Sequence, residues 1–208
     1  TIYDNIKKFV KYIIAGNVGE IIVMLIGPLL GMPLPLLPIQ ILWINLVTDG
    51  APGIALGYEP AEKDTMNRSP YDPKESIFAR GVGRQIVWIG SLVATLSLIV
   101  GFIFYKLNNP GWQTMVFTTL TFGQMQFALS VRSNKQSVFK LGFFTNKIMF
   151  FTVLGTFILQ LALIYIPFMQ VVFKTVALSW LEILVCFGAS FVVMIGLEIE
   201  KALLRRKK

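Results

Sequence analysis

The feature that most constrains this chain is a succession of apolar runs, each close to the length that crosses a bilayer. They fall at roughly 9–30, 39–57, 83–105, 112–131, 148–167 and 179–197. A helical span needs ~20 predominantly apolar residues. The 208 residues, 55% hydrophobic and only 14% charged, leave room for all six. Hydrocarbon offers no water to the backbone, so a spanning segment is a helix or part of a closed barrel. Barrel strands alternate in hydropathy over ~10 residues, and these runs do not. The pattern predicts an all-α membrane protein, a bundle of six transmembrane helices in contact with the lipid bilayer. There is no initiating Met and no cleavable leader. Thr1 opens straight into a basic amphipathic stretch, which reads as a longer protein entered in mid-helix.

The formal charge of +8 invites a nucleic-acid partner, but its distribution argues against one. Of the 19 Lys and Arg residues, only Lys106 and Lys174 fall on one side of the predicted membrane. The others gather at the N-terminus, in the polar loop at 58–80 with Arg84, in the connector Arg132 to Lys147, and in the tail. That asymmetry is the positive-inside signal. It predicts that both termini, the long loop and the connector are cytoplasmic, and no nucleic-acid partner is expected. Trp112 and Trp180, at predicted span ends, fit interfacial aromatics.

Several chemistries are closed to this chain. It has no His, which removes imidazole metal sites, His-based triads and His proton relays. Cys186 is alone within an apolar run and is expected to be a small buried hydrophobe.

Against this apolar background stands Asn45-Leu46-Val47-Thr48-Asp49-Gly50-Ala51-Pro52-Gly53. An acid at that depth costs roughly 2.5–3.5 kcal/mol on insertion scales, so it is retained for a function. Asn45, Thr48 and Asp49 lie at i, i+3 and i+4, on one helix face. Gly50, Pro52 and Gly53 predict that the second helix is unwound near Asp49–Gly53, which would free backbone carbonyls. The first span carries Asn17 and Glu20, again on one face. Two carboxylates, two amides and a hydroxyl are all oxygen donors, the set a hard cation such as calcium prefers.

These segments resemble a known family. NVGE at 17–20 and PIQILWINLVTDGAPGIALGYEP at 38–60 are similar to the fifth and sixth transmembrane segments of P-type calcium-transporting ATPases, most of all the sarco/endoplasmic reticulum type. The resemblance is strongest through residue 80 and extends to the basic tail. It implies that Asn17 and Glu20 match fifth-segment calcium ligands, and that Asn45, Thr48 and Asp49 match sixth-segment ligands. Sodium- and proton/potassium-pumping relatives tend to carry an acid at the position of Asn45, and secretory-pathway pumps a Met at that of Thr48. Both differences favour the calcium branch. With no sorting signal visible and compact loops, a prokaryotic cell membrane is the expected location.

Gln124, in Gln124-Met125-Gln126-Phe127-Ala128-Leu129, aligns with the eighth segment, where two-site pumps place a ligand Glu. Glu20, Asp49 and the family's fourth-segment Glu would give three negative charges against four positive ones for two calcium ions. An uncompensated charge in low dielectric is expensive, so one calcium ion per cycle is expected, with Gln124 as a neutral ligand. Proton countertransport is expected as well, since the acids need a neutralising partner when the metal has left.

The resemblance implies the ion-binding and translocation half of an ATP-driven pump exporting Ca²⁺ from the cytoplasm. The family's DKTG, GDGxND and TGE motifs are absent from these residues, as is any Gly-rich phosphate loop. No catalytic residue is therefore expected here. ATP and Mg²⁺ would act only through phosphorylation, nucleotide-binding and actuator domains elsewhere in the parent. The loop at 58–80, with PxDPKE at 70–75, is expected to couple those domains to the membrane helices. The competing readings are a passive channel or secondary cation transporter using the same acids, and a membrane anchor, which leaves the intramembrane acids unexplained.

Overall fold

The computed structural model describes residues 1–62, 65, 75–79, 81–133 and 136–206. Among them there is no strand. Helix α1 (Ile2–Leu29) leads through a proline-rich turn into a second helical rod, Pro38–Gly57. That rod comprises α2 (Pro38–Trp43), a π-helical stretch (Ile44–Asp49) and α3 (Gly50–Gly57). Then come α4 (Val82–Lys106), α5 (Trp112–Val131), the short α6 (Val138–Leu141) and a 3₁₀ turn (Phe143–Thr145). Helices α7 (Lys147–Tyr165), α8 (Pro167–Phe173) and α9 (Trp180–Arg206) complete the chain. Helix α7 stops because Pro167 forces Ile166 out of helical geometry, to φ −84° and ψ 119°.

Five of these rods are long and apolar enough to cross a membrane: Ile2–Leu29, Pro38–Gly57, Val82–Lys106, Lys147–Tyr165 and Trp180–Arg205. Helix α5, expected as a span at 112–131, is long enough but too polar to join them. The reason is its position. All of its residues except Trp112, Gln113 and Leu129 are buried, and it packs on α1, α3, α4, α7 and α9. A helix enclosed by other helices meets protein rather than lipid. It can therefore carry Thr114, Thr118, Thr119, Thr121, Gln124, Gln126 and Ser130 inside the bundle.

The helix expected to unwind at Asp49–Gly53 does not. Gly50–Gly57 stays α-helical, and the departure from α geometry lies one turn earlier, as the π stretch. Pro52 has no N–H, so the carbonyl four residues back, at Thr48, loses its helical partner. The Tyr12 hydroxyl takes that place, donating to the Thr48 carbonyl at 2.8 Å. The freed backbone group is satisfied from α1, and the rod remains continuous.

Helix α1 packs most extensively on α4, and glycines set the spacing. A Cβ at Gly90 would lie 2.7 Å from the Ala15 carbonyl oxygen and 2.8 Å from Val18 Cγ1. Small residues at a crossing let helix backbones approach in a membrane. Cys186 is buried, as its surroundings predict.

Candidate cation site between α1, the π turn and α5

One stripe of α1 faces the interior at four-residue steps: Tyr12, Gly16 and Glu20. The π turn places Thr48 and Asp49 opposite it, both fully buried. Such turns occur most often inside longer helices at functional sites. Helix α5 supplies Gln124, also buried. Glu20 is the hub of the polar contacts. Its Oε2 accepts from Asn45 Nδ2 at 2.9 Å, and its Oε1 accepts from Gln124 Nε2 at 3.4 Å. Asn45 also donates to the Ile41 carbonyl at 3.0 Å.

The expected ligand set is thus brought together unevenly. Glu20, Thr48, Asp49 and Gln124 are buried around one point. Asn45 lies at the exposed edge and reaches in through Glu20. Asn17 is half-buried and makes no hydrogen bond among the described residues. The wider π turn separates Asn45 from the inward face that a uniform α-helix would give it.

Several oxygens at this point have no partner. Both carboxylate oxygens of Asp49, Thr48 Oγ1 and Gln124 Oε1 are buried without a hydrogen bond. Thr48 does not bond back to the preceding turn, the usual resting place of a helical Thr hydroxyl. A buried, unpaired carboxylate is strongly unfavourable unless a cation or proton joins it. The donor set is chemically suited to a hard cation: oxygen only, with two acids supplemented by neutral groups. Among the described residues no cluster of three or more acidic, His or Cys side chains exists that could hold a metal, so any cation here relies on those neutral oxygens.

Two residues at this site escape a search for donors in the sequence. Gly16 has no side chain, yet a Cβ there would lie 2.7 Å from Asp49 Oδ2 and 2.9 Å from Gln124 Nε2. Its signal is the four-residue step to Glu20. Tyr12 was hidden as an apolar position. Its signal is Pro52, whose missing N–H demands a donor for the Thr48 carbonyl.

A second polar cluster closes the ends of the same helices. Glu59, just past α3, is paired with Arg132 at the end of α5. Arg132 Nε donates to Glu59 Oε1 at 3.1 Å and to Oε2 at 3.0 Å. The guanidinium also donates to the Gly142 carbonyl and to Thr145 Oγ1. Asn146 Nδ2 donates to Glu59 Oε2 at 2.8 Å and to the Ala55 carbonyl at 3.1 Å. From α1, Asn5 Nδ2 donates to the Glu59 carbonyl at 2.8 Å. The long loop is tied to α1 by Lys8–Glu62 at 3.2 Å and Lys7–Glu75 at 3.6 Å. Residues 70–74 of its PxDPKE segment lie outside the described residues.

Comparison with known proteins places this geometry in context. Residues 33–203 match the family described as cation transporting ATPase, C-terminus. The chain is 42% identical to a calcium-transporting ATPase of Bacillus subtilis (strain 168), over 100% of this chain and 23% of that protein. It is 38% identical to calcium-transporting ATPase 1 of Lactococcus lactis, over 97% of this chain and 23% of that protein. It is 36% identical to the human calcium-transporting ATPase type 2C member 1, over 100% of this chain and 23% of that protein. The chain therefore spans less than a quarter of the length of these relatives.

Proposed function

Because the chain belongs to the cation-transporting ATPase C-terminal family and carries five helices long and apolar enough to cross a membrane, we propose that it is the ion-binding and translocation half of an ATP-driven pump exporting Ca²⁺ from the cytoplasm. The observation that carries this reading is the buried, unpartnered carboxylate of Asp49 beside the unpartnered Thr48 Oγ1 and Gln124 Oε1. Asp49 is the central ligand. Glu20, Thr48 and Gln124 complete the buried shell, and Asn45 and Asn17 join from its edge. The amides of Asn45 and Gln124 turn their oxygens inward when the cation replaces Glu20 as their partner. Helix α5 is the sixth span, enclosed by the five apolar ones.

The remaining features follow from that reading. Both termini and the long loop face the cytoplasm, as the Lys and Arg distribution supports. ATP hydrolysis, with Mg²⁺, belongs to phosphorylation, nucleotide-binding and actuator domains of the parent. Asn45 and Thr48 support the sarco/endoplasmic reticulum-like branch, and the expected location is a prokaryotic cell membrane. Gln124 in place of an acid supports one calcium ion per cycle. When calcium leaves, Glu20 and Asp49 take protons in its place and carry them inward. If calcium transport and charge movement in sealed vesicles ignore pH on both sides, that countertransport is wrong.

The deciding experiment is equilibrium ⁴⁵Ca²⁺ binding to the full-length parent pump, counted per phosphorylatable enzyme, beside Glu20→Gln and Asp49→Asn. One ion, lost in Asp49→Asn, is the expected result. Two ions would refute the charge argument built on Gln124. No calcium bound would refute the pump reading and restore the passive channel or secondary transporter.

A further inference from the structure

We propose that Gly16 is the residue that sizes the cation site and sets its preference for a large divalent ion over a smaller one. The inference rests on the calcium-site reading above and adds to it a position that offers no ligand atom. Gly16 lies on the same stripe of α1 as Glu20, one turn away, and faces Asp49 and Gln124 across the bundle. A Cβ there would lie 2.7 Å and 3.2 Å from the two carboxylate oxygens of Asp49 and 2.9 Å from Gln124 Nε2. Two of these separations are shorter than side-chain carbons tolerate, so a methyl group forces a ligand to move.

The two neighbours differ in how easily they yield. Gln124 ends a long side chain and can swing aside. Asp49 has a short side chain on a buried π turn whose Thr48 carbonyl is pinned by Tyr12. Its carboxylate is therefore the part of the site that a side chain at position 16 displaces. The other two buried glycines of α1 serve packing instead: Gly19 faces the backbone of Gly90, and Gly27 faces the Pro35 ring. The space at Gly16 is thus bounded by candidate ligand atoms rather than by packing atoms.

The consequence concerns ion size. Ca²⁺ gathers 6–8 oxygens at 2.3–2.6 Å and needs a roomy cage. Mn²⁺ is smaller, accepts the same donor types and settles for octahedral coordination. A methyl group at position 16 takes volume from the cage, so it penalises Ca²⁺ more than Mn²⁺.

The test is Gly16→Ala in the full-length pump, with direct binding of Ca²⁺ and of Mn²⁺ and cation-free thermal melting. Gly155→Ala, whose Cβ meets open space, is the control. The expected result is a loss of Ca²⁺ affinity of about ten- to a hundredfold, the size of one charge-assisted contact. Mn²⁺ affinity falls less, so the Ca²⁺/Mn²⁺ preference drops, while Gly155→Ala matches the wild type. Unchanged Ca²⁺ affinity, or equal losses for both ions, overturns the proposal. If Gly16→Ala does not fold, the same comparison is made between Gly16→Ala/Gln124→Asn and Gln124→Asn alone, because the shorter amide withdraws from the methyl group. A wild-type pump that binds no Ca²⁺ overturns the calcium-site reading and this inference with it. A wild type that binds Ca²⁺ normally beside an unaffected Gly16→Ala overturns only this inference.

Discussion

Breaking the Glu59–Arg132 pair should cost far more than removing it whole. The Arg132 side chain is 0% exposed and that of Glu59 3%, so solvent screens neither charge. Arg132→Met leaves the Glu59 carboxylate buried with one remaining donor, Asn146 Nδ2. Glu59→Met leaves the guanidinium, among the described residues, with the Gly142 carbonyl and Thr145 Oγ1. Each single change strands a buried charge and should destabilise the protein by about 3–5 kcal/mol. The double variant strands no charge. It loses the hydrogen bonds to the Gly142 carbonyl and Thr145 Oγ1, groups that are not buried and still pair with each other at 2.8 Å, at about 0.5–1.5 kcal/mol each, and Asn146 keeps its bond to the Ala55 carbonyl. The double should therefore be no less stable than either single, with a coupling energy of about 3 kcal/mol or more. The assay is SDS unfolding of the full-length pump in mixed micelles, cation-free, for wild type, both singles and the double. If the singles sum to the double within about 0.5 kcal/mol, the two side chains act independently and the reasoning is refuted.

Three further outcomes follow from named contacts. Tyr12→Phe removes the donor to the Thr48 carbonyl and should cost about 1–3 kcal/mol; an unchanged melting temperature would mean that this carbonyl finds another donor. Gly90→Ala, which meets the Ala15 carbonyl oxygen at 2.7 Å, should destabilise by about 1–3 kcal/mol. Gly188→Ala meets nothing and should be neutral or stabilising by up to about 1 kcal/mol, so equal thermal melting of the two would contradict the packing argument. Gln124→Glu adds the missing negative charge and should raise bound calcium from one ion to two in equilibrium binding; a count that stays at one would show that charge does not limit the number of ions.

The sequence carried most of the architecture because hydrocarbon permits so few solutions. Apolar length marked the five rods that are long and apolar enough to cross a membrane, and the polar residues within the first two marked Glu20, Thr48 and Asp49 as candidates. What it concealed depends on neighbours distant in sequence. The π turn cannot be read from Gly50, Pro52 and Gly53, because the carbonyl that Pro52 frees is satisfied by Tyr12, 36 residues earlier. Arg132 looked like one more positive charge of a cytoplasmic connector, yet its side chain is buried against Glu59. Gly16 carried no donor, so a search for ligands passed over it. Asn45 shared a face with Asp49 only under uniform α geometry, which the π turn replaces.

The polarity of α5 and the position of the candidate site have one cause. A cation site inside a bundle needs side chains from several helices, and the helix at the centre is the one that all the others can reach. Being enclosed frees α5 from the need to be lipophilic, so Gln124 can lie opposite Glu20 and Asp49 without cost to membrane insertion of the outer helices. The same enclosure makes any misplacement expensive, because an oxygen that misses its partner there has no water to turn to. Both ends of the arrangement are therefore held. Tyr12 ties α1 to the π turn beside Asp49, and Glu59 with Arg132 ties the rod carrying Asp49 to the helix carrying Gln124. Between those two ties the Asp49 carboxylate, whose oxygens lack partners, lies directly against Gly16, where no side chain stands in its way. Under the proposed reading, a rigid frame holding unpaired oxygens would select its cation by size, whereas a flexible ligand set would adapt to many.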